Sequence, residues 1–369
     1  MKALRTLPLL VAAFAATLAF AAQTPGFVSP EITADGQATL RFYAPQAHSV
    51  AVQGLRRATP LPMTKGADGI WSVTVSDLAP DIYSYVFEVD GAVALDPKNR
   101  YTKKWINSES AFELPGSTPP AWALQSVPHG TLHQHTFTSA VAGREVACQI
   151  YTPPGYDPRA ATVYPVVYLL HGYGDDATAW AENGRAHRIA DNLIARGAMV
   201  PAIIVMPSGH PVPFPLDRVE EYFAENLVAM ERHVVEELLP FAENNYRIGR
   251  QASDRAIVGL SMGGGHSLGI GLTHPELFQW VGAFSAAIPA GDPGIRFATL
   301  RQAAARKEPS PKLLWVAIGK DDFLLQRNDD FRAWLQKNQV PFTYQLSAGG
   351  HEWTNWRGYL ETFLQRTFR

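Results

Sequence analysis

From residue 26 to about 115 the chain alternates apolar and polar positions with a period of two, in the stretches 39–43, 49–53, 70–75 and 82–89. Alternation at this spacing, punctuated by Asp68-Gly69 and Asp90-Gly91, predicts short strands that bury one face each. They close into a small immunoglobulin-like β-sandwich over residues 22–116. Three prolines lie between 115 and 120, so 117–130 reads as a stiff, extended linker. Beyond it the grammar changes. Stretches 164–170, 202–206, 255–260 and 313–318 are almost continuously apolar, as in strands covered on both faces of a parallel sheet. Between them, 186–196, 220–241 and 329–337 carry apolar residues at three- and four-residue spacing, which predicts helices. Residues 131–369 are therefore an α/β domain with a sheet covered on both sides, whose reactive groups belong beyond the carboxyl ends of the strands.

The first residues follow another rule. Lys2 and Arg5 precede an apolar run from Leu7 to Phe20, and Ala19-Phe20-Ala21 fits a small-x-small cleavage site. Residues 1–21 are read as an export signal and the protein as secreted or periplasmic. The run is shorter than the ~20 residues that span a bilayer, so no stable membrane insertion is expected after its removal.

Composition narrows the classes that remain. With 46% apolar residues and 9 Trp among 369, the chain can bury enough surface to order itself. Its single cysteine, Cys148, has no partner for an intrachain disulfide and is read as a small buried hydrophobe. The 32 basic and 34 acidic residues leave a formal charge of −2, which offers no general attraction for nucleic acid, and the densest basic cluster is only Lys103-Lys104. No His, Cys and carboxylate spacing has the form of a metal site, so neither metal nor cofactor is expected.

The chemistry concentrates at one turn. The strand 255–260 runs into Gly259-Leu-Ser-Met-Gly263 and then into a helical segment. In a strand-to-helix turn this tight, side chains two residues before and after the serine would collide, and glycines leave the Ser261 hydroxyl exposed. A serine needs a base, which in this arrangement follows it in sequence. His266 and His274 lie in or at the end of the helix after the serine, whereas His351 sits in the loop Ala348-Gly-Gly-His-Glu-Trp353 between a strand-like segment, 342–346, and the last helix. His351 is therefore the candidate general base. The orienting acid should follow the strand 313–318, where both Asp321 and Asp322 stand, while Asp329 and Asp330 read as first-turn acids of the next helix. The anion of a tetrahedral intermediate needs two donors. The backbone N–H of Met262 is one candidate, and that of Tyr173, in the turn His171-Gly-Tyr-Gly174 behind another strand, is the second. Trp180, Trp353 and Trp356 lie near these loops and are read as an aromatic platform for substrate.

His171-Gly-Tyr-Gly-Asp-Asp176, Gly259-Leu-Ser-Met-Gly-Gly264, His274-Pro-Glu-Leu-Phe278, Gly319-Lys-Asp-Asp322 and Gly349-Gly-His-Glu-Trp-Thr-Asn-Trp-Arg357 stand in the order and spacing of the esterase D-like α/β-hydrolases. The resemblance covers about 130–369 and extends to the feruloyl and acetyl-xylan esterases of carbohydrate esterase family 1. It implies a Ser261, His351 and Asp322 triad with Tyr173 and Met262 as oxyanion donors. Phe42-Tyr-Ala-Pro45, Asp68-Gly-Ile-Trp71, residues 83–91 and Leu95-Asp-Pro97 resemble the early-set domain of carbohydrate-binding module family 48. Its Trp71, Tyr83 and Tyr85 are read as core, and covering one side of the catalytic cleft is a further role for the domain. The pairing implies a secreted esterase acting on feruloylated or acetylated xylan or its oligosaccharides. A siderophore esterase, an acyltransferase of the same fold, or a carbohydrate-binding protein with an inactive hydrolase fold are the alternatives.

Overall fold

Short alternating strands stack into two sheets at the amino-terminal end of the computed structural model, which describes residues 26–104, 106–214, 218–289, 291–306 and 311–369. The export signal expected at 1–21 lies outside the described residues. One sheet orders Glu31–Ile32, Ala38–Tyr43, Ile70–Val75 and Thr64–Lys65. The other orders Leu61–Pro62, Val50–Gly54, Ile82–Val89, Glu109–Glu113 and Thr102–Lys103. Their facing residues, among them Leu40, Val52, Phe87 and Phe112, form one core, and Trp71, Tyr83 and Tyr85 are part of it. Each of these three polar aromatics has an acceptor: Trp71 Nε1 donates to Ala44 O, Tyr83 OH to Ala79 O and Tyr85 OH to the buried Asp96. Lys103 and Lys104 pair with Glu109 and Glu182.

The second domain is built on an eight-stranded sheet: β1 (Thr131–Ser139), β2 (Arg144–Thr152), β3 (Val166–Leu170), β4 (Ile203–Pro207), β5 (Arg255–Leu260), β6 (Trp280–Phe284), β7 (Leu313–Gly319) and β8 (Thr343–Ser347). The spatial order is β1-β2-β4-β3-β5-β6-β7-β8. β1 and β2 form an antiparallel hairpin against β4, and the other six strands are parallel. Apolar continuity has a direct cause in β3. Val166, Tyr168 and Leu170 enter one core, while Val167 and Leu169 enter another on the opposite face. The first core is completed by helices α3 (Val219–Arg232), α4 (Met262–Gly271) and α5 (Leu325–Lys337). The second is completed by α2 (Ala186–Ala195), which follows the short α1 (Ala179–Glu182), and by α6 (Trp353–Arg366).

Two expectations need correction. The helix expected over 220–241 breaks its register after Arg232, passes through a π-helical stretch, His233–Leu238, and resumes as Leu239–Asn245. Pro240 has no N–H and its ring opposes the carbonyl four residues back, so the bonding loosens just before it. Helix α5 begins at Leu325, which removes Asp329 and Asp330 from the first turn. Asp329 instead accepts from Tyr344 OH at 3.0 Å and pairs with Arg332 at 3.2 Å.

Cys148 is fully buried in the first core, and burial pushes its thiol well above the ordinary range. Labelling of the native protein by a maleimide at pH 8 is expected to be negligible over hours and to reach one equivalent in denaturant, checked by mass spectrometry.

Candidate active site

The glycines around Ser261 are imposed by backbone proximity. A Cβ on Gly259 would stand 2.6 Å from the Gly263 carbonyl group, and one on Gly263 would meet His171 O at 2.4 Å and Leu170 O at 2.5 Å. The start of α4 is thus pressed onto the end of β3, and Ser261 takes φ 51° and ψ −116°, a conformation that disfavours a side chain. Its N–H donates to Phe284 O on the neighbouring strand, and its carbonyl accepts from the N–H groups of Gly265 and Ala287. These contacts hold the strained residue at the carboxyl edge of the sheet. Met262 opens α4, where an N–H has no partner within the helix and points out of its positive end.

The loop after β3 closes on the same point. A Cβ on Gly172 would stand 2.7 Å from Leu260 Cδ1 and 3.4 Å from Ser261 Cβ, so the missing side chain lets this loop, which carries Tyr173, pass close over the serine turn. His171 fixes the loop from beneath. It is buried, its Nδ1 donates to Gly172 O at 2.8 Å and its Nε2 accepts from Gly209 N at 2.7 Å. That bonding specifies a neutral tautomer, and burial holds the ring below its ordinary pKa. Asp175, in the same loop, is buried with one carboxylate oxygen unpartnered, and burial pushes its pKa up to about 7 despite nearby Lys103.

The acid and the histidine follow strands two and three places away from β5. The loops after β7 and β8 are joined by backbone bonds from Lys320 N to Ser347 O and from Asp321 N to Gly349 O. Asp322, and not its exposed neighbour Asp321, faces His351: Nδ1 lies 3.0 and 3.1 Å from its two carboxylate oxygens. Burial would raise this carboxyl, but the bonds from His351 and from Leu324 N–H outweigh it and hold the pKa below the usual range. The imidazole is therefore oriented by an ionised acid, with Nδ1–H turned to the carboxylate and Nε2 on the far side of the ring. His266 is buried in α4 near Asn226, with its pKa pulled down to about 3 by burial, and His274 is held between Glu231 and Glu276.

The three tryptophans do not form an open platform. Trp180 and Trp356 are buried in the second core, where Trp180 Nε1 donates to Leu170 O and Trp356 Nε1 to Ser285 Oγ. Both are neighbours of a loop in sequence, yet the helices that carry them turn their indoles onto the sheet. Trp356 still touches the site from below, edge to face with the His351 ring at 4.9 Å. Trp353 is half-buried against Trp180 and Gly184. The aromatic that does face outward is Phe323, which the sequence reading passed over. It is 77% exposed and its ring centroid lies 4.5 Å from that of His351. Its position directly after Asp322, where one side chain must point inward, was the available signal.

Residues 139–367 match the family model named Esterase, and residues 28–103 match that of carbohydrate-binding module 48, the isoamylase N-terminal domain. An endo-1,4-beta-xylanase/feruloyl esterase of Xylanibacter ruminicola is 30% identical over 352 residues, 94% of this chain and 46% of that protein. The chain thus spans about half the length of that relative. An acetyl esterase of Caldicellulosiruptor saccharolyticus is 27% identical over 53% of this chain and 79% of its own. Among solved structures, the CE1 ferulic acid esterase of Anaeromyces mucronatus in complex with ferulic acid aligns at 25% identity with a TM-score of 0.59, covering 68% of this chain and 96% of its own. The enterobactin esterase of Shigella flexneri shares the fold across both domains, at 20% identity and a TM-score of 0.63 over 89% of this chain and 92% of its own.

Backbone strain at Ser261 has a measurable consequence. Ser261→Gly relieves a conformation that costs about 1–3 kcal/mol, of which the flexibility of glycine in the unfolded chain returns up to ~1 kcal/mol. The expected outcome is a thermal midpoint a few degrees above wild type, while Ser261→Ala, which keeps the strain, gives no rise. Gly263→Ala forces a Cβ against two carbonyl oxygens and is expected to cost on the order of 3 kcal/mol in a denaturant titration.

Proposed function

The chain belongs to the Esterase family of carboxylic ester hydrolases, and from that premise we propose that it is an exported serine esterase removing feruloyl or acetyl groups from plant cell-wall xylan or its oligosaccharides. The observation that carries the reading is the pairing of His351 with a buried, ionised Asp322 at the same sheet edge as the strained Ser261. In this mechanism Ser261 Oγ attacks the ester carbonyl while His351 Nε2 takes its proton, and Asp322 keeps the imidazole in the competent tautomer. The oxyanion lies between the N–H groups of Met262 and Tyr173, each such donor being worth roughly 3–4 kcal/mol of barrier. His351 then protonates the leaving sugar oxygen, and a water molecule activated by the same base hydrolyses the acyl-enzyme.

A feruloyl rather than acetyl preference is supported by Phe323. A large apolar ring exposed beside the histidine offers a face on which a flat aromatic acyl group can stack, with an offset pair worth about 0.5–1.5 kcal/mol. The name of the 30% identical relative, an endo-1,4-beta-xylanase/feruloyl esterase, points to the same substrate class. Export rests on the sequence of residues 1–21.

Ser261→Ala is expected to lower kcat on methyl ferulate by ~10⁴-fold or more with the fold intact by circular dichroism; retained turnover removes the triad reading. Side-by-side rates on methyl ferulate, acetylated xylan and a catecholate siderophore ester separate the substrate classes. Ferulate release is expected to be fastest, and Phe323→Ser to raise KM for methyl ferulate about threefold to tenfold while leaving the acetyl substrate within twofold. Turnover of the acetyl substrate alone overturns the aromatic preference.

A further inference from the structure

An ionic cluster, buried at Asp81 and Arg357 and partly open at Arg56 and Glu352, crosses the boundary between the two domains and ends next to His351. Asp81, at the start of the sandwich strand Ile82–Val89, is almost fully buried. One of its carboxylate oxygens accepts from Arg56 Nη2 at 2.7 Å and from Thr354 Oγ1, and the other from Arg357 Nη2 and the Ile82 N–H. Thr354 and Arg357 lie in the first turn and a half of α6, three and six residues after His351. Arg357 is itself buried, with Nη1 donating to Asn183 O at 2.9 Å and its guanidinium 5.0 Å above the Trp122 ring of the linker. Arg56 reaches closer still to the catalytic loop: its Nε lies 3.1 Å from Glu352 Oε2, while Glu352 Oε1 accepts from the Gly350 N–H at 3.3 Å. The sandwich thus holds three residues that follow His351, and one of them, Glu352, in turn holds the Gly350 N–H that precedes it.

The sandwich pays a local cost for this reach. Leu55 and Arg56 both adopt left-handed φ angles, 54° and 56°, a conformation that non-glycine residues rarely take in succession. The turn delivers the Arg56 side chain across the boundary, stacked over Tyr83 at 4.6 Å. Burial would raise the Asp81 carboxyl, but the charge of Arg357, the Thr354 hydroxyl and Arg56 hold its pKa below the usual range, so the cluster is ionised at neutral pH.

We infer that the sandwich is part of the catalytic machinery, with Arg56 and Asp81 as positioning residues that hold the His351 loop in register through Glu352, Thr354 and Arg357. The inference rests on Ser261 and His351 being the reacting pair. It assigns the domain a task that any ester substrate reveals, independent of polysaccharide.

The test uses the full chain and a small soluble ester such as 4-nitrophenyl acetate, which the sandwich has no need to bind. Arg56→Ala is expected to lower kcat about tenfold with KM within twofold, because a displaced base impairs reaction more than binding. Arg56→Lys restores at least a third of the lost rate. Glu352→Ala lowers kcat similarly, and the double variant Arg56→Ala with Glu352→Ala is no worse than the poorer single one, as one chain of contacts requires. Phosphonylation of Ser261 by a fluorophosphonate slows in the same proportion, which a general loss of stability with unchanged native geometry does not produce. Wild-type kcat in Arg56→Ala and Glu352→Ala, with Ser261→Ala inactive, overturns the inference alone. Full activity of Ser261→Ala overturns the function from which it starts. Should Arg56→Ala fail to fold, Glu352→Ala and Arg56→Lys carry the same comparison.

Discussion

Close approach of two backbones, the end of β3 and the start of α4, is the constraint on which the catalytic domain depends. Gly263 sits so near the carbonyls of Leu170 and His171 that no side chain fits between them. This contact drives Ser261 into a strained conformation, brings the Gly172 loop against its Cβ and aims the N-terminal N–H groups of α4 at one point. A strained residue persists only where its surroundings over-determine it. Here they do so through bonds from Ser261 to Phe284, Gly265 and Ala287 and through cores on both faces of the sheet.

Around that fixed point the remaining groups arrive on loops, and each loop is tied by something other than its own sequence. His171 spans from the Gly172 carbonyl to the Gly209 N–H and so binds the loop after β3 to the loop after β4. The Asp322 loop is laced to the His351 loop by backbone bonds, and the same carboxylate that faces His351 also receives the Leu324 N–H before α5. The His351 loop is tied a second time, from outside the domain, by the ionic cluster centred on Asp81. The accessory sandwich thereby becomes continuous with the site instead of hanging beside it. Removing one member of a buried ion pair leaves its partner charged in a poor solvent, which is why such clusters fix geometry more strictly than surface pairs do.

Much of this was legible from residue types in order. Period-two alternation located the four principal sandwich strands, and continuous apolar runs located the buried strands β3, β4, β5 and β7, because those patterns follow from which faces are covered. The strands β1, β2 and β6 were less visible, since β1 alternates with exposed polar residues at the sheet edge and β6, Trp-Val-Gly-Ala-Phe, is interrupted by a glycine. Trp180 and Trp356 misled because nearness to a loop in sequence says nothing about which way a helix turns an indole. Phe323 was missed for the converse reason, an apolar residue being assigned by default to a core.

The sequence by itself determined the two domain types, the nucleophile turn and the need for a later histidine and acid, because these rest on local sterics and on chemistry that a few residue types can perform. Local physics left Asp321 and Asp322 equivalent, since adjacent residues on one turn differ only in the direction they point, and it was the family resemblance that singled out Asp322. Tertiary structure decided that Asp322 turns inward to His351 while Asp321 faces solvent, that Phe323 stands open beside the imidazole, and that Asp81 and Arg56 meet Arg357 and Glu352 nearly 300 positions away. Contacts of that range depend on how whole sheets and helices pack, and no local pattern in the chain encodes them.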